Sequence, residues 1–361
     1  MGSGAAGCAT ALTLIDRGVG DIVVIDMQQH PRARIGESVP PASRAVLQRL
    51  GVWQAFHAQG HLLSAGSCAS WGHPELRYND FLLGMQGQGW HLDRTAFDEM
   101  LCEAVGARGG TIVRGLRLRS AERSDAGDYA LSLEAENGAS TRVTAGFLVD
   151  ATGIAASVAR RLGVARNQVD CLAVIGAVFD LKAPDAVPSQ ALLEACADGW
   201  WYAAKIPGHR LIAALAVEPS QHRRFADPDT WRPALHATQH VARWLDHGKA
   251  VPAGTLELET ALAPSAILSR VVGERWLAVG DAASAYDPIS AQGILKALCD
   301  GEAAADAIAG CLAGAGQTPL LAYQDGVFAR FRDYLRLRRH LYQRERRWPL
   351  SPFWHNRLLH P

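Results

Sequence analysis

The spacing of apolar residues along the chain changes several times, and each change marks an element. Ala5 to Asp16 carries small and aliphatic residues at helical spacing. Asp21 to Asp26 then reads as a short apolar strand closed by an acid. From Thr111 to Val149 apolar and polar residues alternate, with turn residues at Asp125–Gly127 and Asn137–Gly138, and the pattern predicts a β-meander. Between 166 and 267, strand-like runs at Cys171–Leu181, Trp200–Ile206, Leu211–Val217 and Thr255–Leu262 surround one helical segment at Pro233–Leu245. Trp276–Val279 is a strand-type run that stops at Gly280-Asp281. Helical spacing resumes at Ser290 and continues through Gly301–Leu312, with Pro288 where a first helical turn tolerates proline. A further helix is predicted in the tail from Leu321 onward.

Composition narrows the picture. A chain of 361 residues is long enough for two joined domains with a large core. Lys plus Arg equals Asp plus Glu, 36 each, so no net field attracts nucleic acid or an anionic membrane surface. No apolar run approaches the ~18 residues of a membrane span, and no signal peptide is evident. The seven cysteines (8, 68, 102, 171, 196, 299, 311) are scattered and never spaced C-x-x-C. That usage fits reduced thiols in a cytoplasmic protein and no metal site.

Two stretches carry chemistry. Gly2, Gly4 and Gly7 form G-x-G-x-x-G ahead of the first helix, and Asp26 closes the strand after it. That is the fingerprint of a dinucleotide site: glycines let the backbone approach a pyrophosphate, and the acid takes ribose hydroxyls. The pattern requires a strand before Gly2, so a segment upstream of Met1 is expected. Gly280-Asp281, between a strand and the helix start at Pro288–Gly293, offers a carboxylate for a sugar-like hydroxyl and a positive helix end.

Further motifs resemble one family. Arg32, Arg34 and Gly36-Glu37-Ser38 follow the nucleotide acid. Trp90 to Leu101 reads as a strand-to-helix join with Arg94 at the helix start. Phe147 to Gly153 ends in Asp150-Ala-Thr-Gly153. Together with the two glycine motifs, these resemble FAD-dependent monooxygenases and tryptophan halogenases of the p-hydroxybenzoate hydroxylase type. The resemblance runs over nearly the whole chain. Gly199-Trp-Trp-Tyr202, Asp287 to Gly293 and Glu345 to Trp354 are nearest to the branch that matures tryptophan-derived quinone cofactors.

The resemblance implies an α/β protein with a Rossmann-type FAD-binding domain and β-meander, a mixed-sheet substrate domain and a C-terminal helical tail. The FAD-binding domain is expected at 1–65, 90–165 and 268–325, the substrate domain at 66–89 and 166–267, and the tail at 326–361. It places FAD along Gly2, Gly4, Gly7, Asp26, Arg34, Glu37, Ser38, Arg94, Asp150, Gly153, Gly280, Asp281, Gln292 and Gly293, with NAD(P)H or a separate flavin reductase as electron donor.

The implied reaction is hydroxylation of an electron-rich ring through a flavin C4a-hydroperoxide, with His91, Tyr202 and Pro288 at the catalytic position. The Trp200-Trp201-Tyr202 strand is expected to face the flavin. A halogenase would carry a lysine near 64–71 and a glutamate where Ser290 stands, and both are absent. The substrate is expected to be an aromatic ring, foremost a Trp side chain on a peptide or protein. Arginines 330, 332, 336, 338, 339, 344, 346 and 347 form either a solvated face or a dock for an acidic peptide. A small-molecule hydroxylase, a reductase of the geranylgeranyl type and a non-enzymatic flavin-fold binding protein stay open.

Overall fold

Helix Ala5–Asp16 is built from small residues because it lies between other elements rather than at the surface. Cys8, Ala9 and Leu12 are fully buried. The computed structural model, which describes residues 1–30, 37–81, 87–124 and 127–359, crosses this helix with Gly293–Gly310 at very short range. A Cβ added to Gly301 would stand 2.6 Å from the Ala9 Cβ and 2.9 Å from the Thr10 nitrogen.

These helices pack on two short parallel pairings. Val23–Ile25 runs beside Thr111–Val113, and Leu148–Asp150 runs beside Trp276–Ala278. Met1 and Gly2 join the two. The Met1 α-amino group donates to the Val149 carbonyl at 2.9 Å, Ala151 N–H donates to Met1 at 2.8 Å, and Gly2 N–H donates to Ile25 at 2.7 Å. Met1 and Gly2 thus hydrogen-bond between the two pairings, where the fingerprint places a central strand, and no strand is assigned to them. The meander is shorter than its pattern predicts. Leu116–Arg123, Tyr129–Ala135 and Ser140–Ala145 form it, while the flanking runs at 111–113 and 148–150 pair elsewhere. Of its first predicted turn, Asp125 and Ala126 lie outside the described residues.

A nine-stranded sheet makes the second layer. Its central strand, Arg166–Leu181, pairs with Arg210–Val217 on one side and Glu259–Leu268 on the other. The last strand lies further along than the Thr255–Leu262 run. Three helices, His222–Phe225, Pro228–His236 and His240–Gly248, cover one face where the periodicity predicts one, because Phe225 and Trp231 fill the same core as Leu235, Val241 and Trp244.

Strand alternation decides the fate of the aromatic triplet on Gly199–Ile206. Trp201 turns to the helices, 5.2 Å from Trp231 between ring centroids. Only Trp200 and Tyr202 face the other way, which corrects the expectation for Trp201.

The tail folds back over that second face as helices Thr318–Gln343 and Pro352–Leu359. Half of its predicted arginine face is committed to the protein itself. Arg338 is buried between Asp170 and Asp287, Arg347 holds Glu345, Arg330 holds Asp300, and Arg336 holds Asp333. Arg357 is also buried, against Asp170 and Glu218. Among the described residues no helix is long and apolar enough to cross a membrane.

Candidate active site

A cavity of about 2010 Å³ runs from the glycine turn at the N-terminus to the inner face of the large sheet. That exceeds the few hundred to 1,000 Å³ or so of an ordinary ligand pocket, and leaves room for a dinucleotide and a second ring.

The turn is set by backbone geometry. Gly2 has φ of 102°, and a Cβ there would lie 2.1 Å from the Ala151 carbonyl oxygen. At Gly7 a Cβ would lie 2.0 Å from the Gly2 oxygen, so these two glycines close the turn against its own backbone and against 151–152. Gly4 is different: nothing stands within 4 Å of its missing Cβ, and it lines the cavity. The helix that follows has no side-chain cap, so its first N–H groups are left for an anion. Asp26 is fixed beside them. Its Oδ2 accepts from Ser3 N–H at 2.8 Å and from Ser3 Oγ at 2.7 Å, and its Oδ1 accepts from Gln28 N–H at 2.8 Å.

Asp281 also lines the cavity, on a single 3₁₀ turn after strand Trp276–Ala278. Its carboxylate accepts no hydrogen bond from any described residue. Burial, with Asp300 nearby, raises its pKa against the opposing charges of Lys296, Arg166 and Arg94. A half-buried carboxylate with open lone pairs is suited to a ligand hydroxyl. The segment after it departs from the sequence pattern. Pro288 opens a 3₁₀ turn to Ser290, Ala291 takes a left-handed conformation at φ 48°, and the helix begins only at Gly293. The Asp287 carboxylate caps the 3₁₀ turn by accepting from Ile289 N–H at 2.9 Å, so the helix starts later than its pattern predicts. Pro288, Gln292 and Gly293 all line the cavity.

On the sheet side, Tyr202, Ser38 and His91 form a chain of hydrogen bonds. Ser38 Oγ is 3.0 Å from the Tyr202 hydroxyl and 3.2 Å from His91 Nδ1, and His91 Nε2 is 3.1 Å from the Ser189 carbonyl oxygen. Burial lowers the His91 pKa to about 4, so the ring is neutral near pH 7. The direction of the chain then follows. A carbonyl only accepts, so Nε2 carries the proton and Nδ1 accepts from Ser38, leaving Ser38 to accept from Tyr202. The Tyr202 oxygen is left with its lone pairs toward the cavity, and burial raises its own pKa. His91 is 1% exposed and does not line the cavity; it orients Ser38 and Tyr202 from behind rather than touching a ligand.

The remaining predicted residues divide in the same way. Ser38, Gly153 and Arg94 line the cavity, with Arg94 on the first turn of helix Arg94–Ala107 and Asp93 capping it through Ala96 N–H at 3.0 Å. Glu37 is buried outside it. Asp150 also lies outside, because its carboxylate is spent on Thr152, Val158 and Ala159 N–H groups. Gly280 is a packing residue whose Cβ would meet Ala6 Cβ at 2.7 Å. Arg34, with Arg32 and Gly36, lies outside the described residues. The sequence reading missed the buried pair Lys296–Asp300, joined at 2.9 Å with Lys296 over the Tyr286 ring. Its i,i+4 spacing on a cavity-lining helix was the available signal.

A glycine turn on an uncapped helix, an acid fixed beside it and a second carboxylate lining the same long cavity define a dinucleotide-binding protein. The comparisons agree: residues 1–333 match the FAD binding domain family, and the chain belongs to it. LodB of Marinomonas mediterranea, named as a FAD-dependent oxidoreductase, is 29% identical over 99% of this chain and 95% of its own. Among solved structures, the flavin-dependent halogenase CmlS superposes with a TM-score of 0.85 at 24% identity, over 99% of this chain and 66% of that one. QhpG, a peptidyl tryptophan dihydroxylase essential for tryptophylquinone cofactor biogenesis, superposes with a TM-score of 0.78 at 24% identity, over 99% and 77%. The chain is therefore a FAD-dependent oxidoreductase. The open space at Gly4, the uncapped helix end and the free Asp281 carboxylate fit the cofactor.

Proposed function

We propose that this oxidoreductase is a monooxygenase that hydroxylates an electron-rich aromatic ring, and that the ring is a Trp side chain carried by a peptide or protein. The observation that carries the reading is the cavity wall opposite the nucleotide turn. Trp200 and Tyr202 line it, and the Tyr202 oxygen is turned by Ser38 and His91 into an acceptor. Reduced FAD with dioxygen supplies an electrophilic oxygen atom. The protein's part is to hold the ring, exclude water and manage its proton.

An indole N–H matches an acceptor-only hydroxyl, and Trp200 offers an apolar face beside it. Tyr202 therefore holds the ring's N–H, and Ser38 and His91 fix its hydroxyl in the accepting orientation. Among the described residues the cavity's one lysine, Lys296, is bound to Asp300, which supports oxygen transfer over halogenation. NAD(P)H or a separate flavin reductase is the electron donor. QhpG, a structural neighbour, acts on peptidyl tryptophan by its name, and that is in keeping with a peptide-borne ring.

The test is mass spectrometry of a Trp-bearing peptide after reaction with oxygen, NADH or NADPH and a flavin reductase, with chloride and bromide present. Gain of oxygen on the Trp residue, with free tryptophan turned over poorly, is the expected result. Gain of halogen without oxygen would overturn the reaction type, and equal turnover of free tryptophan would overturn the peptide substrate. Tyr202→Phe should lower hydroxylation by about tenfold, the worth of one lost hydrogen bond to the bound ring.

A further inference from the structure

The arginines of the tail are not equivalent. Arg330, Arg336, Arg338 and Arg347 each have a carboxylate partner, whereas none of the described residues offers one to Arg344 or Arg346. These two converge with Arg77, from the edge strand Arg77–Asp80 of the large sheet, around a cleft of about 320 Å³. Arg77 likewise has no ion pair with any described residue. His73 and His340 add to the polar wall, and no carboxylate of a described residue lines it. Glu345, between the two arginines in sequence, is buried and spent on Arg347 and on Gly72 N–H, so it does not neutralise them. The walls are tied together, since Trp71 Nε1 donates to the Leu341 carbonyl at 2.8 Å.

Trp71, Arg77 and Arg344 line both this cleft and the large cavity, so the cleft opens at the cavity's edge. Three uncompensated guanidinium groups repel one another, in a chain whose total charge is zero. Such an arrangement is relieved by a bound anion, and planar guanidinium groups favour carboxylates.

Resting on the peptide reading above, we infer that this cleft is a subsite for acidic side chains flanking the oxidised Trp of the substrate peptide. The ring enters the cavity past Trp71, while neighbouring Asp or Glu residues stay outside against Arg77, Arg344 and Arg346. Neutral or basic flanks gain nothing there. The sequence pattern spread this role over the whole arginine run; of the run, only Arg344 and Arg346 line the cleft, joined by Arg77 from a distant strand.

The experiment compares two blocked peptides with a central Trp, one flanked by glutamates and one by glutamines, binding to the flavin-loaded full chain by calorimetry. Several exposed ion pairs together should favour the glutamate peptide by about five- to tenfold at low ionic strength. The preference should largely vanish at about 0.5 M salt, where screening reaches only a few ångströms. Arg346→Gln, at a residue that lines the cleft and not the cavity, should weaken the preference while the glutamine peptide binds as before, and Arg346→Glu should abolish or reverse it. An unchanged flavin spectrum and melting temperature establish that the variants are folded. Equal binding of both peptides to the parent protein, or a preference that Arg346→Glu leaves unchanged, would overturn the subsite and leave the peptide reading standing. Binding of neither peptide would overturn both.

Discussion

Asp281 and His91 differ in what surrounds them, and each makes its own prediction. The Asp281 carboxylate lines the cavity with no donor from a described residue on it, so a ligand hydroxyl is its natural partner. Asp281→Ala should weaken FAD retention by about 1.5–3 kcal/mol, the worth of a hydrogen bond to a charged group. Equilibrium dialysis of the two proteins checks this. His91 is buried and held near pKa 4, and His61 is held there too by burial. Both stand below the ordinary value near 6.5, so between about pH 6.5 and 4 the unfolded chain takes up protons that the folded chain refuses. Stability should therefore fall as pH falls through that window, by up to about 3 kcal/mol for each fully buried ring. Urea titrations at pH 7 and pH 5 measure the slope, and replacing His91 with Asn should reduce it. The sequence displayed Asp281 clearly because Gly280-Asp281 sits in a motif. It could not display that His91 stands behind Ser38, since the Ser38–Val39 and Gly89–His91 strands meet only in the fold.

At the scale of elements, the short helix crossing explains the small residues on both partners. Gly301→Ala would press a methyl group into Ala9 and the backbone at Ala6 and Thr10. Overpacking of that kind costs about 1–3 kcal/mol, read as a lower denaturant midpoint with little change in slope. Period-based reading located this helix but started it too early. The local signal that stops the chain at Pro288–Ser290 is an Asp287 side-chain cap followed by a left-handed Ala291. Neither competes visibly with an aliphatic pattern. The single helix read at Pro233–Leu245 became three for a related reason: its neighbours are too short to show a period, and burial of Phe225 and Trp231 holds them.

The whole molecule is closed by its tail. Arg338 and Arg357 are buried on the two tail helices and share Asp170 of the central sheet strand. Removing that one carboxylate leaves Arg338 with Asp287 alone and Arg357 with Glu218 alone. Asp170→Ala should cost about 1.5–3 kcal/mol, the worth of lost hydrogen bonds to charged groups, and lower the melting temperature. Arg336→Ala, which breaks a solvent-exposed pair with Asp333, should leave the melting temperature unchanged. A small effect at Asp170 would mean that Asp287 and Glu218 suffice for the two guanidinium groups.

What the sequence determined by itself was whatever local spacing encodes. The glycine turn, the acid that closes its strand, Gly280-Asp281 and the long first helix are each set by residues adjacent in the chain, where backbone freedom and periodicity act directly. What only the tertiary structure decided was which side of each element meets which partner. Strand alternation sent Trp201 to the helical core and Tyr202 to the cavity. Charge pairing across the tail left Arg344 and Arg346 without a carboxylate and Arg338 with two. Those outcomes depend on partners distant in the chain, Trp231 for Trp201 and Asp170 and Asp287 for Arg338, brought together by burial of the sheet's two faces.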